Sequence, residues 1–506
     1  MLRYHTIQFG CRANQADGAA IAEELAQRGF QPWEDYRQAD VVVLNSCTVT
    51  ATADSELRQI VRRIHRDNPR ARILVTGCYA QRAPEELAAL PGVRWIVGNS
   101  QKNEIGRLLS EQSAAPDAGQ WVSSGVPLER LLLSASPAPE LEFHTLSFPV
   151  PHTEPSQSTP QSTPQILVGD IFAAREFLSA PVVGKTVGDR TRPNLKIQEG
   201  CNNRCSFCII PSVRGRSRSL PTTQVLGQVR TLCAAGYREV VLSGINLGRY
   251  GRDLPQRIRF AQLVRMILDE TPLERLRLSS VEPMDFTDEL LGLMACSPRI
   301  AQHVHAPLQS GSDRILRRMH RKYQARHYRG RILAAWERMP NAAFGADVMV
   351  GFPGETEEDF EQTRGLIESL PFTYLHVFPF SRRVGTPADT MPDQVPGAVV
   401  RQRSRILRDL AANKNRHFRE RQLGQLLNVI TLEEETEGGT SALSDNYLKV
   451  FLPGGRLPGN RLVDVRIVAV SDAGLIGELA TEGWRQLTGA ESPSAEPLSM
   501  MTCASA

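Results

Sequence analysis

The sequence predicts an α/β protein in three parts. These are an amino-terminal parallel α/β domain over residues 1–110, a central partial (β/α)6 barrel over 191–420 and a small carboxy-terminal β-barrel over 421–485. Three observations predict it. Apolar strand-like runs alternate with helical patterns in the first hundred residues, which calls for a parallel sheet with right-handed crossovers. The same alternation resumes at 194 and runs for six units, too few for a closed eight-stranded barrel but suited to an open one. After about 422 the pattern changes to short alternating strands separated by glycine pairs.

In the first part the expected strands are 4–9, 40–45 and 72–76, with helical patterns over 15–28 (Ile21 and Leu25 on its apolar face) and 53–66 (Leu57, Ile60, Val61 and Ile64). Each strand runs into a cysteine: Gly10-Cys11, Ser46-Cys47 and Gly77-Cys78. The carboxyl ends of parallel strands lie along one edge, where ligands bind. These three cysteines, distant in sequence, are therefore expected to converge. A single cysteine there would read as an inert core residue; three in one structural position read as a three-thiolate site.

Residues 111–190 break the rhythm. The stretch from Ser134 to Gln165 is rich in Pro, Ser, Thr and Gln and reads as a linker or insertion, with short apolar pieces at Leu131–Leu133 and Ile166–Val168. The central part then offers strands at 194–199, 238–243, 275–280, 302–306, 343–350 and 373–379, with helical patterns over 222–235, 259–270, 324–339 and 357–369. Polar or glycine-rich segments follow the strands. Asn246, Glu282, Gln309 and Asp347 stand there and are expected to face a ligand.

The first of these segments is Cys201-Asn202-Asn203-Arg204-Cys205-Ser206-Phe207-Cys208. Three thiols in this C-x3-C-x2-C spacing can hold one face of a four-iron cluster and leave one iron open. Zinc in a structural site takes four ligands, and no fourth Cys or His stands at a suitable spacing. An open iron can chelate the amine and carboxylate of S-adenosylmethionine, whose cleavage by a cluster electron releases a 5′-deoxyadenosyl radical. Cys233 and Cys296 fall within helical patterns and read as core. Cys503 lies in a polar tail, 486–506, expected to be disordered.

The totals frame this. The chain has 506 residues, a formal net charge of +4, 41% hydrophobic and 23% charged residues. That balance is globular and sets up no global field for a nucleic acid. No apolar run is long enough to span a membrane, and Met1–His5 enters a strand without a signal-peptide pattern. A cytoplasmic protein is expected, in which nine cysteines read as ligands or core rather than disulfides. Local basic clusters stand at Arg58–Arg72, Arg314–Arg326 and Arg401–Arg419; together with the terminal β module they favour RNA.

The cysteine loop, following a strand and opening six βα units, resembles the radical S-adenosylmethionine superfamily; Phe207, before the third cysteine, fits the loop of that family. The resemblance narrows with Gly10-Cys11 and Asn14, Asn45–Thr50, Thr76–Gln81, Glu199–Asn203, Ile209–Pro211 and Arg214-Gly215. These are similar to the methylthiotransferases, and 422–480 is similar to their TRAM domain. Thr48-Val49-Thr50, Ala53-Asp54, Arg58-Gln59 and Cys78–Gln81 most resemble the type acting on N6-threonylcarbamoyladenosine in tRNA. The resemblance implies methylthiolation of C2 of that adenosine in the anticodon loop, a radical-SAM 4Fe-4S cluster on Cys201, Cys205 and Cys208, and an auxiliary 4Fe-4S cluster on Cys11, Cys47 and Cys78 that presents the sulfur. It also implies S-adenosylmethionine as methyl and radical source, an electron donor and a sulfur donor, the last two not identified by the sequence. The chain departs from the family in the length of 110–190 and in Ser243-Gly244-Ile245-Asn246, a loose form of the glycine-rich motif. Rival readings keep the chemistry but take an isopentenylated adenosine or a ribosomal-protein aspartate. A rival of another class is a non-catalytic iron–sulfur protein that binds RNA or senses redox state.

Overall fold

The computed structural model describes residues 2–113, 163–179, 191–434 and 436–480. The expected apolar piece at 131–133, most of the linker, the tail and Cys503 lie outside these residues.

The amino-terminal sheet has six parallel strands: β1 (Arg3–Gln8), β2 (Gln31–Pro32), β3 (Val41–Ser46), β4 (Arg72–Gly77), β5 (Val93–Gly98) and β6 (Gln165–Leu167), in the order β2-β1-β3-β4-β5-β6. The three expected strands form its middle. β5 and β6 extend it, so the apolar piece at 166–168 is largely a sheet edge. All six residues of β3 are buried, because helices cover both faces. Val42, Leu44, Ile73, Val75 and Ile96 pack on one side with Leu57, Val61 and Ile64 of the helix Ala51–Asp67. Val41, Val43, Leu74, Trp95 and Val97 pack on the other with Ile21 and Leu25 of the helix Arg12–Gln27.

The central part carries six parallel strands: β7 (Asn194–Glu199), β9 (Glu239–Gly244), β10 (Arg275–Leu278), β11 (His303–His305), β12 (Ala343–Val350) and β13 (Tyr374–Pro379). A short antiparallel strand, β8 (Arg218–Ser219), runs beside β7. A parallel bridge between Leu276 and Ile300 joins the two halves of this open barrel. Phe344, Ala346, Val348 and Val350 of β12 enter the helix-covered core. By the two-residue period of a strand, Gly345, Asp347 and Met349 face the other way, into the lumen. Cys233 is half-buried against the core. Cys296, expected in the core, is exposed: it is the last residue of the helix Asp288–Cys296, which stops before Ser297-Pro298.

Five strands close the last barrel: β14 (Leu426–Thr431), β15 (Gly439–Ser444), β16 (Lys449–Pro453), β17 (Leu462–Val470) and β18 (Leu475–Leu479). It docks on the amino ends of the central strands, opposite the cysteine loop. Arg277 donates to the carbonyls of Ser444 and Asp445, both at 3.1 Å, and Arg275 to that of Asn428 at 3.3 Å. Both arginines also pair with the buried Glu239.

One backbone position carries particular strain if altered. Gly77 has φ +100°, and a Cβ there would stand 2.3 Å from the Ser46 carbonyl oxygen. Gly77→Ala is expected to cost about 1–3 kcal/mol, read as a lower urea midpoint. Gly227→Ala, on a helix with open space around it, is expected to leave stability unchanged or raise it by about 0.5–1 kcal/mol.

Candidate metal centres

The register of the amino-terminal sheet brings its three cysteines together. Gln8 of β1 lies opposite Asn45 of β3, and Ser46 of β3 opposite Gly77 of β4. Cys47 and Cys78 are the next residues on neighbouring strands, and Gly10 falls level with Cys47. A Cβ on Gly10 (φ +90°) would lie 2.7 Å from the Cys47 Cβ and 2.8 Å from its Sγ, so only glycine leaves that space. Cys47 and Cys78 are buried and Cys11 is exposed. Burial, then the Cys78 thiol, push Cys47 up to about 12.

The loop 201–208 forms the second group. Its start is held by the Cys201 N–H, which donates to the Gly215 carbonyl at 3.0 Å, and its turn by the Cys208 N–H on the Cys205 carbonyl at 3.1 Å. Cys201 Sγ lies 3.3 Å from the Asn203 N–H and 3.6 Å from Asn246 Nδ2. Cys205 Sγ lies 3.5 Å from an Arg321 N–H. Burial raises Cys201 and pushes Cys208 up to about 12, with the neighbouring thiols adding to both. Each group is thus three neighbouring thiols, and the amides beside them, Asn99 at Cys78 and Asn246 at Cys201, both at 3.6 Å, present N–H donors to sulfur rather than a further ligand. Soft sulfur donors of this kind, one short of four, fit iron–sulfur clusters.

A buried charged network ties the first group to the segments that flank the second loop. Arg214, at the end of the helix Ile210–Arg214 that follows the loop, donates from Nε to Cys78 Sγ at 3.2 Å. Its other nitrogens reach both Glu199 oxygens at 2.7 and 2.9 Å, Asn14 Oδ1 at 2.6 Å and Asp17 Oδ2 at 3.2 Å. Asp17 also pairs with Lys196 and, at 2.6 Å, with Lys102; Lys196 reaches Glu199 at 2.6 Å. Burial alone would raise both carboxyls, but the cations around them hold Asp17 well below the ordinary range and bring Glu199 from near 4.5 to about 2. Burial would lower Arg214, but Cys78, Glu199 and Asp17 drive it well above its usual value. None of these five charged residues stood out in the sequence as a group. They come from four segments, with Lys196 and Glu199 both on β7, and only Glu199 and Arg214 fall in recognisable motifs.

Of the residues expected to face a ligand, Asn246, Glu282 and Gln309 follow β9, β10 and β11, whereas Asp347 lies inside β12. Asn246 touches Cys201, and its Oδ1 is buried without a partner among the described residues. Glu282 pairs with Arg321. Gln309 sits at φ +64°, with a buried Oε1 likewise unpartnered among the described residues. Asp347 accepts from His376 Nδ1 at 3.1 Å and lies 3.2 Å from His305 Nε2. Phe207 packs among Met349, Phe352 and Phe378, an apolar wall beside the loop. The basic clusters are partly structural: Arg321 is buried at Cys205, Arg403 pairs with Glu355 and Glu357, and Lys414 caps carbonyls. Arg62, Arg63, Arg66, Arg401, Arg405 and Arg408 remain exposed. Among the described residues no helix is long and apolar enough to cross a membrane.

Removing one charge from the network leaves the rest uncompensated. Asp17→Asn is expected to cost about 3–5 kcal/mol, measured by equilibrium urea unfolding of the chain without clusters. Both carboxyls titrate lower folded than unfolded, so their stabilisation is complete above about pH 5 and is lost as pH falls through the folded values. The urea midpoint should be flat from neutral to about pH 5 and then drop, and Asp17→Asn should flatten that drop.

Comparison with known proteins agrees with this geometry. Residues 3–98 match the model of the uncharacterized protein family UPF0004, and 195–367 match the radical SAM superfamily. The chain is 36% identical to a threonylcarbamoyladenosine tRNA methylthiotransferase of Bacillus subtilis, covering 92% of this chain and 93% of that protein. It is 34% identical to the Aquifex aeolicus protein of the same name, with 91% and 98% covered. It is also 32% identical to a tRNA-2-methylthio-N6-dimethylallyladenosine synthase of Desulforamulus reducens, with 94% and 95% covered. In fold it is similar to a radical S-adenosylmethionine methyltransferase of Kitasatospora setae solved with cobalamin and a 4Fe-4S cluster, at TM-score 0.52, 16% identity and 77% of each chain. With two converging thiol triads on an α/β sheet and an open six-stranded barrel, the chain belongs to the radical S-adenosylmethionine methylthiotransferase family.

Proposed function

We propose that this enzyme methylthiolates C2 of N6-threonylcarbamoyladenosine next to the anticodon of tRNA, in the cytoplasm, forming 2-methylthio-N6-threonylcarbamoyladenosine. The observation that carries the reading is the presence of two three-thiol groups in one chain, with Arg214 tying Cys78 of the first to Glu199, just before the loop that carries the second. Five of the relatives, at 30–36% identity, bear the name of that activity.

Cys201, Cys205 and Cys208 would hold the radical-SAM 4Fe-4S cluster, and Cys11, Cys47 and Cys78 the auxiliary one. When bound, the first supplies the open iron and the electron for S-adenosylmethionine cleavage, and the second a site for the sulfur to be transferred. The side chains around them bind, orient and exclude water. The unpartnered oxygens of Asn246 and Gln309 can accept from the ammonium or ribose hydroxyls of S-adenosylmethionine. Glu282 fixes Arg321 against Cys205, and Phe207 shields the loop from solvent with its apolar neighbours. Residues 1–110 would be the auxiliary-cluster domain, 191–420 the radical domain and 421–485 a TRAM module for RNA, with 111–190 an insertion. The exposed arginines at 62–66 and 401–408 supply phosphate contacts.

Nucleoside analysis of tRNA from a deletion strain tests the substrate. The 2-methylthio form should vanish and the unmodified threonylcarbamoyl form accumulate; persistence with no paralogue present would sink the assignment. With dithionite-reduced, reconstituted protein, Cys205→Ala should abolish 5′-deoxyadenosine formation. Cys47→Ala should keep that product yet form no methylthio group. Full methylthiolation by Cys47→Ala would refute the division of labour between the triads.

A further inference from the structure

The lumen holds a second constellation that cluster chemistry does not use. His305, Asp347 and His376 come from β11, β12 and β13, and their ligand atoms lie within 4.8 Å of one another. Register puts His376 opposite Asp347 and Tyr374 opposite Gly345. Tyr374 bridges His305 to one more imidazole, at 3.2 Å from His305 Nδ1 and 2.7 Å from His303 Nε2. Asp347 therefore accepts from His376 on one side and faces His305 on the other, while Tyr374 fixes His305 from behind. His376 alone of these side chains is exposed, at 61%. Its Nε2 makes no hydrogen bond among the described residues.

Charge and position say what that nitrogen meets. The groups facing the constellation are Arg12 from the amino-terminal domain, Arg277 from β10, His303, Tyr374, and Tyr447 from the last barrel. Asp347 is the single carboxylate among them and is already paired. Burial would raise Asp347, but its bonds to His305 and His376 hold it well below the ordinary range. It therefore stands as an anion that holds His376 through its Nδ1 and leaves Nε2 facing outward. Two residues further along the same strands and face, Met349 and Phe378 belong to the apolar cluster on which Phe207 of the cysteine loop also packs. His376 thus lies one strand repeat, about 7 Å, below that loop's apolar wall.

We infer that His376, held by Asp347, is the specificity residue that receives the carboxylate of the substrate's N6 substituent. This rests on the substrate reading above. With C2 of the base toward the cysteine loop, an arm leaving N6 extends away from the reacting atom, and the threonyl carboxylate at its end is the acceptor this exposed imidazole fits. An apolar isoprenoid arm would leave His376 and Asp347 unpaired, which selects against it.

The test uses reconstituted holoenzyme and two anticodon stem-loop RNAs, one bearing threonylcarbamoyladenosine and one with its carboxylate converted to the primary amide. Wild type should prefer the carboxylate RNA by about 10–100-fold in kcat/KM. His376→Gln should lose that preference, chiefly through KM, with iron content and melting temperature unchanged, and His376→Arg should recover part of it. Undiminished discrimination by His376→Gln, with wild type active on the carboxylate RNA, overturns this inference alone. Wild-type activity confined to dimethylallyladenosine RNA overturns the substrate reading as well. One zinc or manganese ion per chain, lost in Asp347→Asn, would make the constellation a metal centre and overturn the anion assignment.

Discussion

The arrangement depends on one buried guanidinium. Arg214 is 1% exposed, and a buried arginine has donors that must all be met. Here they are met by groups from separate segments: Cys78 at the end of β4, Asn14 and Asp17 on the first helix, and Glu199 at the end of β7. No two of these carriers can shift without stranding a charge. The cysteine loop is tied to the same point, because Cys201 donates to Gly215 directly after Arg214. The amino-terminal sheet and the central barrel are thereby set at one distance and one angle. The small residues Ala13, Ala16 and Ala20, buried on the first helix, let it lie close enough against β7 for this to happen.

The two thiol sites differ in the charge the protein gives them. Around Cys78 stand Lys102, Lys196 and Arg214 against Asp17 and Glu199, one positive charge in excess. Beside Cys205 stands Arg321, paired with Glu282 and so balanced. An anionic thiolate-held guest would meet a compensating charge in the first site and a neutral pair in the second. That asymmetry suits sites with different tasks, since nearby charge and hydrogen bonds to sulfur are the protein's main means of tuning such a centre.

The cysteines were legible because their signals are local. One triad is a spacing within eight residues, and the other is a repeated position at three strand ends whose convergence follows from parallel-sheet geometry alone. The outer strands were harder. β6 has three residues and pairs only because β5 offers an open edge, and β18 is recognisable only once the barrel closes. The Arg214 network was not legible at all. Asp17 meets Lys196 and Arg214 across 179 and 197 residues of chain, and an aspartate amid the alanines of a helix reads as a solvated face. Cys296 shows the opposite error. A helical pattern says nothing of where the helix stops, and at its last turn the side chain turns outward. Asp347 was expected to face a ligand; in the fold it lies between His305 and His376, partners that become visible only through the register of β11, β12 and β13.

The lumen face of those strands argues for function on energetic grounds. The opposite face of β12 is Phe344, Ala346, Val348 and Val350, the choice that packing alone favours. The lumen face instead carries His303, His305, Asp347, Tyr374 and His376. Burying such groups costs about 1–3 kcal/mol for each hydrogen bond left unmade, and the buried Nδ1 of His303 has no hydrogen-bond partner among the described residues. Apolar residues there would make a more stable barrel. Arg12 from the amino-terminal domain reaches Tyr447 of the last barrel at 3.2 Å, and Tyr447 stacks on His303 at 4.5 Å between ring centres. All three parts of the chain therefore meet at one polar, aromatic floor. A surface assembled from three domains, at a cost to each, is accounted for by what enters the lumen rather than by the stability of any one part.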